Sequence, residues 1–215
     1  SPKALSKLAR INAKRLPLVK GRPRYGVPWD GPGKIVCIGL NYVDHAKETN
    51  SPIPDQPIIF LKANSALNGP NDNVAVPRGS KQTDYEVELG VVIGTRAQHV
   101  SKKDALNYVA GYTICNDVSE RFFQMKMGLM WTKGKSCDTF GPMGPWLVTK
   151  DEMPKPQRCR LWCDVNGERR QDGNTKTMIF DVATLVSYTS KLMSLNPGDV
   201  ISTGTPPGVG AGMKP

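Results

Sequence analysis

The distribution of apolar residues predicts a mainly β chain with a few short helices, an α+β fold. Two observations carry that expectation. Short apolar or alternating runs recur from Lys34 to Thr203 with turn residues between them, which is the pattern of strands. Helical spacing is confined to four segments, Ala4 to Leu18, Val43 to Thr49, Ser101 to Val109 and Val182 to Met193.

At 215 residues and 23.5 kDa, with 39% hydrophobic residues, the chain suffices for one domain with a sizeable core. The formal net charge of +10 invites a nucleic-acid reading, so its distribution matters. Residues 1–25 hold Lys3, Lys7, Arg10, Lys14, Arg15, Lys20, Arg22 and Arg24 and no acid, which leaves 21 basic against 19 acidic residues elsewhere. The body is nearly balanced, so neither nucleic acid nor membrane is an expected partner. No apolar run approaches the ~18 residues of a membrane span, and a cytoplasmic location is expected. The five cysteines, Cys37, Cys115, Cys137, Cys159 and Cys163, are odd in number and contain no Cys-x-x-Cys pair. Reduced thiols fit that better than disulfides or a zinc site.

In chain order, Ala4 to Leu18 reads as a basic amphipathic helix, and the four glycines and three prolines of residues 21–33 read as a linker. The folded body is expected from residue 34 to 215, with 1–33 as a basic N-terminal segment. Lys34 to Gly39 is an apolar strand, followed by a helix on which His45 and Glu48 are three residues apart and share a face. A carboxylate beside an imidazole fixes its tautomer and raises its basicity, as a general base requires. His99, just before the helix-start pattern Ser101-Lys102-Lys103-Asp104, reads as structural.

Pro57 to Leu61 is a second strand. Thr83 to Gly94 is a third, and it places Glu86 and Glu88 on one side with Val87 and Leu89 on the other. On spacing alone this is the ordinary alternation of a strand with one solvated face; if the face is enclosed, two carboxylates so close call for a cation or a proton between them. Ala110 to Cys115 is an apolar strand ending in Asn116-Asp117, and a carboxylate there needs a partner. Three acids on two core strands suit a hard divalent ion rather than zinc. Residues 128–145, rich in Gly and Pro, read as a long loop carrying Lys133 and Lys135. Strands follow at Trp146 to Thr149, Arg160 to Val165 and Lys176 to Phe180, with Asn166-Gly167 as a hairpin turn. Asp181 caps a helix over Val182 to Met193. A last strand, Gly198 to Thr203, leads into Gly204-Thr205-Pro206-Pro207-Gly208-Val209-Gly210, which lacks the lysine of a phosphate-binding loop.

Five segments taken together, Gly39 to Glu48, Asp84 to Leu89, Asn116 to Ser119, Gly134 to Ser136 and Gly204 to Gly210, resemble the fumarylacetoacetate hydrolase family. The resemblance implies a mixed β-sandwich or β-roll, a homodimer, and a Mg²⁺ or Mn²⁺ site formed by Glu86, Glu88 and Asp117. It implies 2-oxo or 2,4-diketo acid substrates. His45 with Glu48 would be the base that activates water and Lys135 the cation supporting oxyanion charge. Tyr42, Arg121, Gln124 and Thr205 would be substrate contacts. Residues around Gly39 to Tyr42 and Thr132 to Lys135 are closest to the subgroup acting on diketo-deoxy sugar acids. The closing strands of such a fold would lie beyond Pro215. The activity implied is hydrolysis of a C–C bond to give pyruvate and a carboxylic acid, with isomerase or decarboxylase action on 2-oxo diacids as the alternative. A non-catalytic binding protein working through residues 1–25 is a remote third.

Overall fold

The computed structural model describes residues 2–213. Six strands form one mixed sheet in the spatial order Ile58–Lys62, Ile35–Gly39, Val200–Ser202, Val87–Ile93, Val109–Asn116, Val148–Thr149. Within it Ile35–Gly39 and Val200–Ser202 run parallel, and the remaining neighbours are antiparallel. The Val87–Ile93 strand sits inside the sheet and is buried at all seven positions, so neither of its faces is wet.

The two faces carry separate apolar layers. Val36, Ile38, Val87, Leu89 and Val91 pack with the Val182–Leu192 helix and with Leu161. Ile35, Cys37, Val92, Cys115 and Val200 pack on the other side with Met143, Trp29 and Leu147. The helix begins where the sequence indicates, because the Asp181 carboxylate accepts the Thr184 amide at 2.7 Å and satisfies an otherwise orphaned donor. The Asn166-Gly167 turn is also formed, joining Arg160–Val165 to Glu168–Asn174, with φ of +53° and +83° at its two residues.

Four expected elements differ. The helix over Ala4 to Leu18 is shorter: an α-helix spans Pro2–Leu8 and a 3₁₀ turn Ala13–Arg15, with Leu8, Ile11, Leu16 and Leu18 exposed. An isolated basic segment with no core to pack on does not sustain a long helix. The Ser101 to Val109 helix is a single 3₁₀ turn at Ala105–Tyr108. The strand expected at Lys176 to Phe180 is displaced to Glu168–Asn174, and Thr175–Thr177 is a 3₁₀ turn. A two-residue hairpin turn obliges the partner strand to follow at once. That strand escaped notice because only Gln171 in it is buried. The loop over 128–145 contains a short helix, Thr132–Lys135, seated against the Arg121–Lys126 helix. Gly134 permits this approach, since a Cβ there would fall 2.5 Å from the Gln124 amide nitrogen. Among the described residues, no helix is long and apolar enough to cross a membrane.

Candidate active site

Toward one end of the sheet, the face covered by Met143 changes from apolar to charged. Along the central strand that face reads Val92, Gly90, Glu88, and then Glu86 just before the strand begins. The antiparallel neighbour places Cys115 opposite Glu88 and Asp117 two residues further, with the Asp117 amide donating to the Glu86 carbonyl at 2.9 Å. One oxygen from each of Glu86, Glu88 and Asp117 lies within 4.8 Å of the other two, and all three residues are buried. The reading of two same-face glutamates converging with Asp117 therefore describes the geometry. No solvated face is involved.

Buried acids this close need compensating charge, and the chain supplies it from three directions. Lys135 Nζ donates to Glu86 Oε2 and Asp117 Oδ2 at 2.8 Å each. Arg121 Nη1 stands 2.7 Å from Glu86 Oε1. Lys62 Nζ bonds Asp117 Oδ1 and donates to the Val118 carbonyl at 2.9 Å. Burial opposes ionisation of Glu86, but Lys135 and Arg121 outweigh it and bring its pKa down to about 2. Burial also opposes the charge on Lys135, and Asp117 and Glu86 more than offset that, so its pKa lies above the ordinary lysine value. Among the described residues, no lysine or arginine forms an ion pair with Glu88. Burial, with Asp117 and Glu86 nearby, pushes its pKa up to about 8. Its hydrogen bonds among the described residues both go to Oε2, from the Ser202 hydroxyl at 2.6 Å and the Gly204 amide at 2.9 Å. That leaves Oε1 available to a ligand.

This donor set fits a hard divalent cation. Three carboxylates converge on one buried point, and Cys37 and Cys115 on the same face are kept as thiols, since burial raises both of their pKa values. Glu86, Glu88 and Asp117 would hold it.

Glu86 and Glu88 open onto a cavity of about 300 Å³, whose lining also includes His45, Arg121, Gln124, Lys135 and Thr205. His45 Nδ1 lies 2.8 Å from Glu48 Oε2 on the Val43–Glu48 helix. The second Glu48 oxygen accepts the Gly208 amide at 2.8 Å, so the dyad is anchored from behind. The glycine-rich turn thus works as a row of backbone donors: Gly204 to Glu88, Gly208 to Glu48, and Gly210 to Asp84 at 2.7 Å. Positive φ at Gly204 and Gly208, +94° and +102°, aims those amides inward.

Of the expected substrate contacts, Arg121, Gln124 and Thr205 line the cavity and Tyr42 does not. Tyr42 is fully buried in the core, its hydroxyl without a hydrogen-bond partner among the described residues, because it precedes the His45 helix and bridges to Met178. Thr205 lines the cavity, but its hydroxyl donates to the Val87 carbonyl at 2.9 Å and accepts from Gln171 at 2.8 Å. Arg121 is held by Asp84, which accepts from its Nε at 2.8 Å and Nη2 at 2.6 Å. Lys62, Asp84 and Ser202 were not anticipated. A lysine ending an apolar strand, Ile58–Lys62, was the available signal for the first of them.

The family model of the fumarylacetoacetate hydrolase C-terminal region matches residues 34–215. The 2,4-didehydro-3-deoxy-L-rhamnonate hydrolase of Sphingomonas sp. (strain SKA58) is 58% identical over 212 residues, which is 99% of this chain and 74% of that protein. The crystal structure of a fumarylacetoacetate hydrolase from Exiguobacterium antarcticum superposes with a TM-score of 0.85 at 40% identity, over 95% of this chain and 74% of that one. A 2-hydroxyhepta-2,4-diene-1,7-dioate isomerase from Mycobacterium marinum does so with a TM-score of 0.75 at 42% identity, over 83% and 66% of the two chains. The chain spans about two thirds to three quarters of the length of these relatives. Its fold and acid-lined cavity are those of an enzyme that handles small acids, and the chain belongs to the fumarylacetoacetate hydrolase family.

Proposed function

We propose that this protein is a divalent-metal-dependent hydrolase that cleaves a C–C bond of a 2,4-diketo acid, an acylpyruvate or a 2,4-didehydro-3-deoxy sugar acid, to give pyruvate and a carboxylic acid. The observation that carries the reading is His45, paired with Glu48, lining the same cavity as Glu86 and Glu88, two of the three clustered acids. Glu86, Glu88 and Asp117 would hold Mg²⁺ or Mn²⁺, which would supply Lewis acidity for a 2-oxo acid.

The chain's own residues do the rest. With Glu48 accepting the Nδ1 proton, His45 presents Nε2 as a base toward the cavity. It takes a proton from water as the oxygen adds to the distal carbonyl carbon. Breaking the bond between C3 and C4 then leaves the carboxylic acid and the enolate of pyruvate. The proton held on His45 returns to C3, and the atoms balance as one water consumed. Lys135, kept cationic by its two carboxylates, stabilises the developing oxyanion. Arg121, oriented by Asp84, and Gln124, whose Oε1 accepts from Arg121 at 3.1 Å, position the acid end of the substrate.

The isomerase name of the Mycobacterium marinum relative favours a second reading, isomerisation or decarboxylation of a 2-oxo diacid on the same acids. A water-activating dyad has its clearest use in hydrolysis. Release of pyruvate from a panel of acylpyruvates and a diketo-deoxy sugar acid, with Mg²⁺ and with chelator, tests the proposal. Metal-dependent release supports it. No release, with a hydroxydienoate isomerised or oxaloacetate consumed, supports the second reading. A homodimer in the cytoplasm, with residues 34–215 as the catalytic domain, completes the proposal.

A further inference from the structure

The cavity has a second character that the reaction itself does not use. Lys135 Nζ, bonded to Glu86 and Asp117, stands 5.2 Å from the centroid of the Phe60 ring. Phe60 in turn meets Trp131 edge-on, with centroids 5.4 Å apart at 63°. Trp131 immediately precedes the Thr132–Lys135 helix, so one helical turn carries both the cation and the outermost ring. Gly39 makes room for that ring, since a Cβ there would overlap it, with one ring carbon at 2.9 Å. Trp131 is partly exposed and lines the cavity with Phe60, Ile58 and Met125.

Charge is distributed unevenly along the same wall. Among the described residues, the cationic or basic side chains lining the cavity are His45, Arg121 and Lys135, and each is engaged by an acid, Glu48, Asp84 with Glu86, and Glu86 with Asp117 respectively. Lys135 reaches the aromatic stretch at Phe60 with its charge already held by Glu86 and Asp117, and among the described residues no cation lies over the Trp131 ring. A second carboxylate at the far end of a substrate would lose hydration there without a cation to replace it. An alkyl chain, or the C–H face of a deoxy-sugar chain, would instead remove water from apolar surface.

Resting on the 2,4-diketo acid reading, we propose that Trp131 is a specificity-determining residue for the part of the substrate beyond the reacting carbonyl, and that this part is neutral and carbon-rich. Binding and turnover test it separately. Calorimetry with Mg²⁺ present would follow simple 2-oxo monocarboxylates of increasing chain length, alongside 2-oxo dicarboxylates of matched length. The association constant is expected to rise about fourfold per methylene, and the dicarboxylates to bind about tenfold more weakly or worse. Trp131→Phe should keep most of that slope and Trp131→Ala should flatten it. A deoxy-sugar 2-oxo acid, compared with an alkyl one, tells the two chain types apart by which loses more on Trp131→Ala. Dicarboxylates binding as well as monocarboxylates, or an unchanged slope in Trp131→Ala, would overturn the inference. Failure of the wild type to turn over any 2,4-diketo acid would count against the hydrolase reading, while the binding series would still judge Trp131.

Discussion

Lys62 and Lys135 grip the same carboxylate from opposite oxygens: Lys62 Nζ takes Asp117 Oδ1, and Lys135 Nζ lies 2.8 Å from Oδ2. Asp117 is thereby held from both oxygens just past the end of a core strand. The two lysines differ in surroundings. Lys62 is also tied to the Val118 carbonyl and points away from the cavity lining, whereas Lys135 is part of that lining.

Lys62→Met should therefore act first on stability. Removing one partner of a buried ion pair costs about 3–5 kcal/mol; Lys135 stays on Asp117 Oδ2, so the low end of that range is expected, a drop in Tm on the order of 10 °C for a domain of this size. Thermal unfolding without added metal measures it. An unchanged Tm would mean that Asp117 does not depend on Lys62.

Glu88 gives a signed pH dependence. Its carboxyl, at about 8 in the metal-free protein, is protonated below that pH, and a cation must displace the proton to bind. Apparent Mg²⁺ or Mn²⁺ affinity should rise with pH up to about 8 and level off above it, with close to one proton released per ion in the lower range. Calorimetry in buffers of different ionisation heats reads the proton directly. Glu88→Gln should weaken binding and abolish the slope.

Glu86→Gln should weaken metal binding by ~10-fold or more, since carboxylate charge sets the affinity of such a site. It should also leave Lys135 and Arg121 with fewer partners. Calorimetric titration with Mg²⁺ checks the first effect.

His45→Ala should lower kcat by ~10²–10⁴-fold while leaving metal binding intact, the ordinary cost of removing a general base. His45 touches none of the three acids through a hydrogen bond or ion pair, so a variant that lost metal as well would contradict this division of labour.

Much of the site was legible because its geometry is local. Glu86 and Glu88 are two residues apart on a strand, and His45 and Glu48 are three apart on a helix, so periodicity alone puts each pair on one face. Asp117 followed from its place at the end of a buried strand. What escaped depends on contacts distant in sequence: Lys62 reaches across 55 positions to Asp117, Arg121 across 37 to Asp84, and Ser202 across 114 to Glu88. Tyr42, a substrate contact that the resemblance alone implies, is buried in the core and is not among the cavity-lining residues. The fold divides in the same way. Apolar strands announced themselves, and the polar strand Glu168–Asn174 did not, because hairpin pairing rather than burial holds it.

Isotope transfer from water tests the central claim most directly. With Mg²⁺ present in ¹⁸O-water, turnover of a 2,4-diketo acid should place one labelled oxygen in the carboxylate of the acyl product and yield one pyruvate per substrate, both lost in His45→Ala. Consumption of the substrate with no labelled carboxylic acid formed would contradict hydrolysis and point to isomerisation or decarboxylation.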